Sequence, residues 1–146
     1  MIIKMVKIDK VKTLKYILYV AALYHLMIGG IGLFFSNFAI TVSKYAFNFN
    51  LVMTDQINWM LKPFATYIFI FGILLAFAAI NPKNNRSIVY GFVIFTLLRA
   101  LQKTFFFIFG DPSFAINHYM GASIFNIVIL LILGISTLVL YRKTYK

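Results

Sequence analysis

Three polar residues interrupt an otherwise apolar run: Arg99, Gln102 and Lys103. Their spacing of three and four places them on one helix face, which Thr96 and Phe106 extend. Like charges four residues apart repel. An arginine at the centre of a bilayer costs roughly 2.5–3.5 kcal/mol on insertion scales. Three arrangements would compensate. In the first, the lysine reaches toward the membrane surface and carbonyls, hydroxyls and Gln102 satisfy the arginine. In the second, the pair holds an anionic or carbonyl-bearing ligand such as a lipid headgroup or a quinone. In the third, an acid on a partner protein's helix meets the arginine. No acid lies inside the apolar runs, and Asp55 and Asp111 are the nearest candidates to pair with Lys103.

His25 is the second group with chemistry to offer. It shares a face with Ala22, Gly29 and Gly32, and small residues let helices approach closely. That face points His25 into a helix bundle, where it forms a structural hydrogen bond or serves as a proton carrier or ligand contact. Asn126 is placed to hydrogen-bond Arg99 or Gln102, and Gly121 and Gly134 mark the packing face of its run. Asp111 and His118 form a polar rim with Ser113 and Asn117, which reads first as a surface turn. His25 and His118 differ in depth by roughly 15 Å on straight helices. That disfavours a bis-histidine haem, and no metal site or resident cofactor is expected.

These residues sit in a chain of 146, of which 62% are hydrophobic and 12% charged. Mean hydropathy is +0.91. Too few charges remain to cover a water-facing surface, which excludes a soluble enzyme or a disordered tail. Fourteen Lys and Arg oppose only three acids, but the bases cluster at the ends of apolar runs. That is a membrane pattern and argues against nucleic acid. With no cysteine, thiol catalysis, disulfides and iron–sulfur clusters are excluded.

Four apolar runs, at about 14–35, 63–80, 88–109 and 119–141, approach or meet the length of a membrane span. The expected fold is an all-α, four-helix transmembrane bundle forming one domain over 1–146. Counting from Ile88, Arg99 lies about 16 Å along the third span and Lys103 about 22 Å. Ser36-Asn37, Asn81-Pro82 and Gly110-Asp111-Pro112 end the first three runs, and Pro63 suits the first turn of the second. The first run is read as a retained helix, because it is longer than a signal peptide's apolar region and lacks a clean cleavage site. Lys4, Lys7, Lys10, Lys12, Lys15, Lys83, Arg86, Arg142, Lys143 and Lys146 fall on one side, against Lys44 and Lys62 on the other. The positive-inside rule then puts both termini in the cytoplasm. The outer connection, 36–61, is long and apolar, so it lies on the membrane surface or over the bundle mouth. Trp59 is its interfacial anchor, and Thr54-Asp55 cap a helix leading into the second span. Phe105, Phe106, Phe107 and Phe109 crowd the outer end of the third span. They serve lipid contact and packing, or line an aromatic cavity above Lys103.

The stretch Tyr24-His25-Leu26-Met27-Ile28-Gly29-Gly30-Ile31-Gly32 ends the first span in glycines. A long outer loop follows, and then Gly72 to Ile80 run into the turn Asn81-Pro82-Lys83-Asn84-Asn85-Arg86. With polar residues in the third span, this layout resembles the DoxX-like superfamily of small bacterial four-helix membrane proteins, which includes BphX-like proteins. The resemblance implies no shared catalytic residues. It does imply a bacterial cytoplasmic membrane and a role beside quinone-linked redox complexes. Other four-span families fit less well: a glutathione enzyme wants a Glu-Arg pair in its second span, a small multidrug exporter a membrane glutamate, and a disulfide-forming enzyme cysteines.

The functional expectation is a non-enzymatic accessory subunit or lipid- or quinone-binding protein organised around Arg99, Gln102 and Lys103. Its partners would be membrane lipids and a larger membrane complex, and homo-oligomerisation stays open. The alternative is a membrane enzyme or transporter for a hydrophobic anionic substrate, with His25 or His118 moving protons. The predicted topology has a direct check. Alkaline phosphatase should be active when inserted after Asn50 and inactive when inserted after Asn84 or fused after Lys146.

Overall fold

The structure is a computed structural model and describes residues 9–47, 52–109 and 120–145. Five helices, and no strand, occupy these residues: α1 (Lys10–Phe34), α2 (Ser36–Phe47), α3 (Asp55–Ile80), α4 (Arg86–Phe109) and α5 (Met120–Tyr145). In α1, α3, α4 and α5 the described residues include segments long and apolar enough to cross a membrane.

α1, α3 and α4 begin earlier than the apolar runs because polar residues ahead of each run extend them. Asp9 caps α1, its Oδ1 accepting from the Val11 and Lys12 amides at 3.1 and 3.3 Å. An N-cap carboxylate satisfies amides that have no partner inside the helix. Thr54 caps α3 as its spacing suggested, with Oγ1 accepting from the Ile57 amide at 3.2 Å. The helix it starts runs unbroken to Ile80, so Pro63 lies in its interior and not in a first turn. Proline removes one donor from the ladder, a loss tolerated where other groups can reach the freed carbonyl. At the opposite end of α3, Asn85 Nδ2 donates to the Phe77 and Asn81 carbonyls at 3.1 and 3.0 Å. The Asn85 carbonyl also accepts from the amides of Ile88 and Val89. One asparagine thus closes α3 and opens α4. The outer connection is partly helical, since α2 starts directly after Phe35. α5 continues through Arg142 and Lys143, which sit in its last turn where the helix dipole favours cations.

Around the bundle the neighbours run α1, α3, α4, α5, and α5 returns to α1. The α1–α3 seam is the tightest. A Cβ on Gly29 would lie 2.5 Å from the Phe69 amide nitrogen, and one on Gly72 would lie 2.8 Å from that of Leu26. Only glycine permits that backbone approach. This seam stays buried out to Gly32 and Ala65. The α4–α5 seam does not extend so far. Beyond Ala100 no α4 residue is buried, and none from 124 to 133 on α5 is buried. The main core, built on Leu14, Leu18, Leu75, Val89 and Phe92, fills the half nearest the α3–α4 turn.

Gly29→Ala should destabilise the bundle by about 1–3 kcal/mol, the usual cost of overpacking. Gly91, whose added Cβ would meet nothing within 4 Å, should tolerate alanine with a gain of up to about 1 kcal/mol from helix propensity. Reversible unfolding in mixed micelles, titrated with dodecyl sulfate, measures both.

Candidate functional site

α4 carries the basic pair on two successive turns. Arg99 and Lys103 are both half-buried, and Gln102 is exposed. Arg99 Nη1 donates to Gln102 Oε1 at 2.9 Å. This bond orients the guanidinium while its other donors remain for a ligand, a lipid or a partner. Arg99 and Lys103 lie within electrostatic range of each other, and Tyr24 of α1 is within range of Arg99. Thr96, on the same face and one turn nearer the core, is buried. Its hydroxyl is bound to its own helix, 3.0 Å from the Phe92 carbonyl and 2.9 Å from that of Val93. The hydrogen bond described for Arg99 goes to Gln102 and not to this hydroxyl.

Charge compensation by the chain's own acids fails where it can be seen. Among the described residues the one ion pair joins Lys12 to Asp9, 3.9 Å apart. Asp55 lies in the first turn of α3 and makes no ion pair with Lys103. Asp111 and His118 lie outside the described residues, as does the rest of that polar rim. Asn126 is half-buried on α5 and makes an interaction of its own. The described hydrogen bond of Arg99 goes to Gln102.

His25 is buried, as its small-residue face implied, with 8% of its surface exposed. Its Nδ1 lies 2.7 Å from the Ala21 carbonyl oxygen. A carbonyl only accepts, so Nδ1 carries the proton and Nε2 is the nitrogen left for exchange. The ring sits among aromatic side chains from three helices. Its centroid is 5.3 Å from Tyr24, 5.2 Å from Phe71, 5.9 Å from Phe95 and 6.5 Å from Phe92. Sequence reasoning missed this box. The i, i+3 spacing of Phe92 and Phe95, one turn below Arg99, was its only visible sign. Phe95 links the two groups along α4: it touches the histidine ring, and Arg99 follows it four residues, or about 6 Å, farther along the helix.

Among the described residues the aromatic end of α4 faces outward. Phe105, Phe106, Phe107 and Phe109 are all exposed, and Phe105 touches both Phe106 and Phe109. They form an outward apolar surface, suited to lipid. A groove of about 540 Å³ lies at the α1–α2 corner between Phe34, Phe38, Met53 and Asn58. Beside it, Lys62 Nζ donates to the Leu33 carbonyl and ties α3 to the last turn of α1. Among the described residues no group of three His, Asp or Glu could hold a metal ion.

A double-mutant cycle tests the Arg99–Gln102 contact. Gln102→Leu should lower stability by about 1 kcal/mol, the scale of a polar contact in a membrane interior. In an Arg99→Leu background the same change should cost almost nothing. Equal effects in both backgrounds would mean that the bond contributes no stability.

Comparison with protein-family models, with curated proteins and with solved structures finds no match to this chain.

Proposed function

We propose that this chain is a multi-pass protein of a bacterial cytoplasmic membrane, with both termini in the cytoplasm. In this reading it is a small non-enzymatic accessory subunit or lipid- or quinone-binding protein. The observation that carries the proposal is the half-buried Arg99–Lys103 pair, which has no acid beside it among the described residues. Uncompensated cations in an apolar span face a bundle interior or a functional partner far more often than lipid. Arg99 supplies the directional donors, Gln102 fixes their orientation, and Lys103 adds charge one turn farther along. The DoxX-like layout is the proposed kinship, and a partner complex is the proposed setting.

One observation favours a second reading. His25 has its Nδ1 proton committed to the backbone, which leaves Nε2 as the nitrogen available for proton exchange. A membrane enzyme or transporter moving a hydrophobic anion would use such a group. Turnover or transport that persists in His25→Ala would exclude it.

Native mass spectrometry of the protein drawn gently from its own membrane tests the leading reading. A single chain with a small adduct that disappears in Arg99→Leu is the expected result for a binding protein. A larger assembly that loses its partner in the same variant is the expected result for a subunit. If adducts and partners are unchanged in a folded Arg99→Leu variant, the arginine is structural and the proposal fails.

A further inference from the structure

We infer that the ligand of the basic pair is an oxyanion carried on a hydrocarbon chain, a carboxylate or a phosphate monoester, and not a neutral quinone. This rests on the reading of Arg99 and Lys103 as a ligand site.

Charge is the first reason. Both cations are half-buried and electrostatically coupled. A neutral carbonyl accepts a hydrogen bond but leaves both charges and their repulsion in place. An oxyanion held by both residues neutralises them and turns the repulsion into shared attraction.

Geometry is the second. The two donors stand one turn apart on one face of α4, about 6 Å apart at Cβ. That spacing lets both reach a single head. A quinone presents two carbonyls on opposite edges of its ring, and one helix face addresses only one of them. The arginine's planar fork matches the two oxygens of a carboxylate or phosphate, and Gln102 already holds one corner of that fork. Lysine then adds a second contact without imposing a direction.

The surroundings suit the tail. Past Ala100 none of the described residues of α4, and none from 124 to 133 on α5, is buried, and the exposed rings of Phe105 and Phe106 lie one to two turns beyond Arg99 on α4. An acyl chain whose head sits at Arg99 can run along this apolar surface into the bilayer. On the other side of Arg99 lie Phe95 and the phenylalanine rings around His25, which offer an anionic head no polar group but the histidine.

The experiment uses the whole protein in nanodiscs of zwitterionic phosphatidylcholine. Four probes share a long apolar portion: hexadecanoate, hexadecyl phosphate, hexadecanol and decylubiquinone. Retained adducts are counted by native mass spectrometry for the wild type, Arg99→Gln, Arg99→Lys and the exposed-site control Lys143→Gln. Hexadecanoate or hexadecyl phosphate should be retained at least about tenfold over hexadecanol and the quinone, given the added strength of charge-assisted bonds. The preferred anion tells a fatty acid from a lipid phosphate. Arg99→Gln should abolish the preference, Arg99→Lys should keep part of it, and Lys143→Gln should leave it unchanged. Equal retention of all four probes, lost in Arg99→Gln, would overturn the oxyanion while leaving a ligand site at the pair. Retention that no Arg99 substitution alters would overturn both. The comparison among probes on the wild type needs no variant to fold.

Discussion

The backbone contact between α1 and α3 is the constraint on which the rest of the bundle depends. Gly29 and Gly72 let the two helices come closer than any side chain would allow. That contact spends the small-residue face of α1 on α3 and turns His25 toward Phe71 on one side and toward Phe92 and Phe95 on the other. Because dispersion forces and not water exclusion hold helices together in lipid, such close approach is the main source of cohesion available. The α4–α5 pair has a smaller version of it, with Gly134 set against Thr96 and Leu97.

A polar economy follows. Several polar groups bond within their own helices: Thr96 to Phe92 and Val93, the half-buried Thr104 to Ala100, and His25 to Ala21. The buried hydroxyls of Thr137 and Thr144 have no hydrogen-bond partner among the described residues. None of these bonds specifies how the two pairs meet. Shape does that work in the half filled by Leu14, Leu75 and Phe92. In the other half, charge collects without acid neighbours among the described residues. The two halves thus divide the tasks of holding the fold and presenting polar groups.

The four apolar runs were legible because their length and composition suit helices that cross a membrane. The turn at Asn81-Pro82 and the packing face of α1 were legible because proline and glycine act through local geometry. Helix starts were misjudged where a polar residue outside the apolar run did the capping. Asp9 extends α1 to Lys10, and Asn85 extends α4 to Arg86. Hydropathy cannot see either. Pro63 misled because proline is tolerated at a first turn and also, in a membrane, in a helix interior. At the site, Arg99, Gln102 and Lys103 stood out by type and spacing. The aromatic box did not, since phenylalanine is common throughout this chain and only the packing of α1, α3 and α4 singles out Phe71, Phe92 and Phe95. The candidate pairing of Asp55 with Lys103 is not made: Asp55 opens α3, and sequence alone gives no distance from there to a residue on α4.

The uneven seams also bear on how the chain is made. α1 and α3 emerge from the ribosome before α4, and their contact needs nothing synthesised later. α4 is the least apolar of the four long helices and carries two cations in its second half. On its own it is the segment worst suited to leave the translocation channel for lipid. An α1–α3 pair already docked in the bilayer gives it a protein wall to enter against, with Phe71 ready to meet Phe95. The glycine seam is thus a template for biosynthesis as well as a joint in the finished bundle.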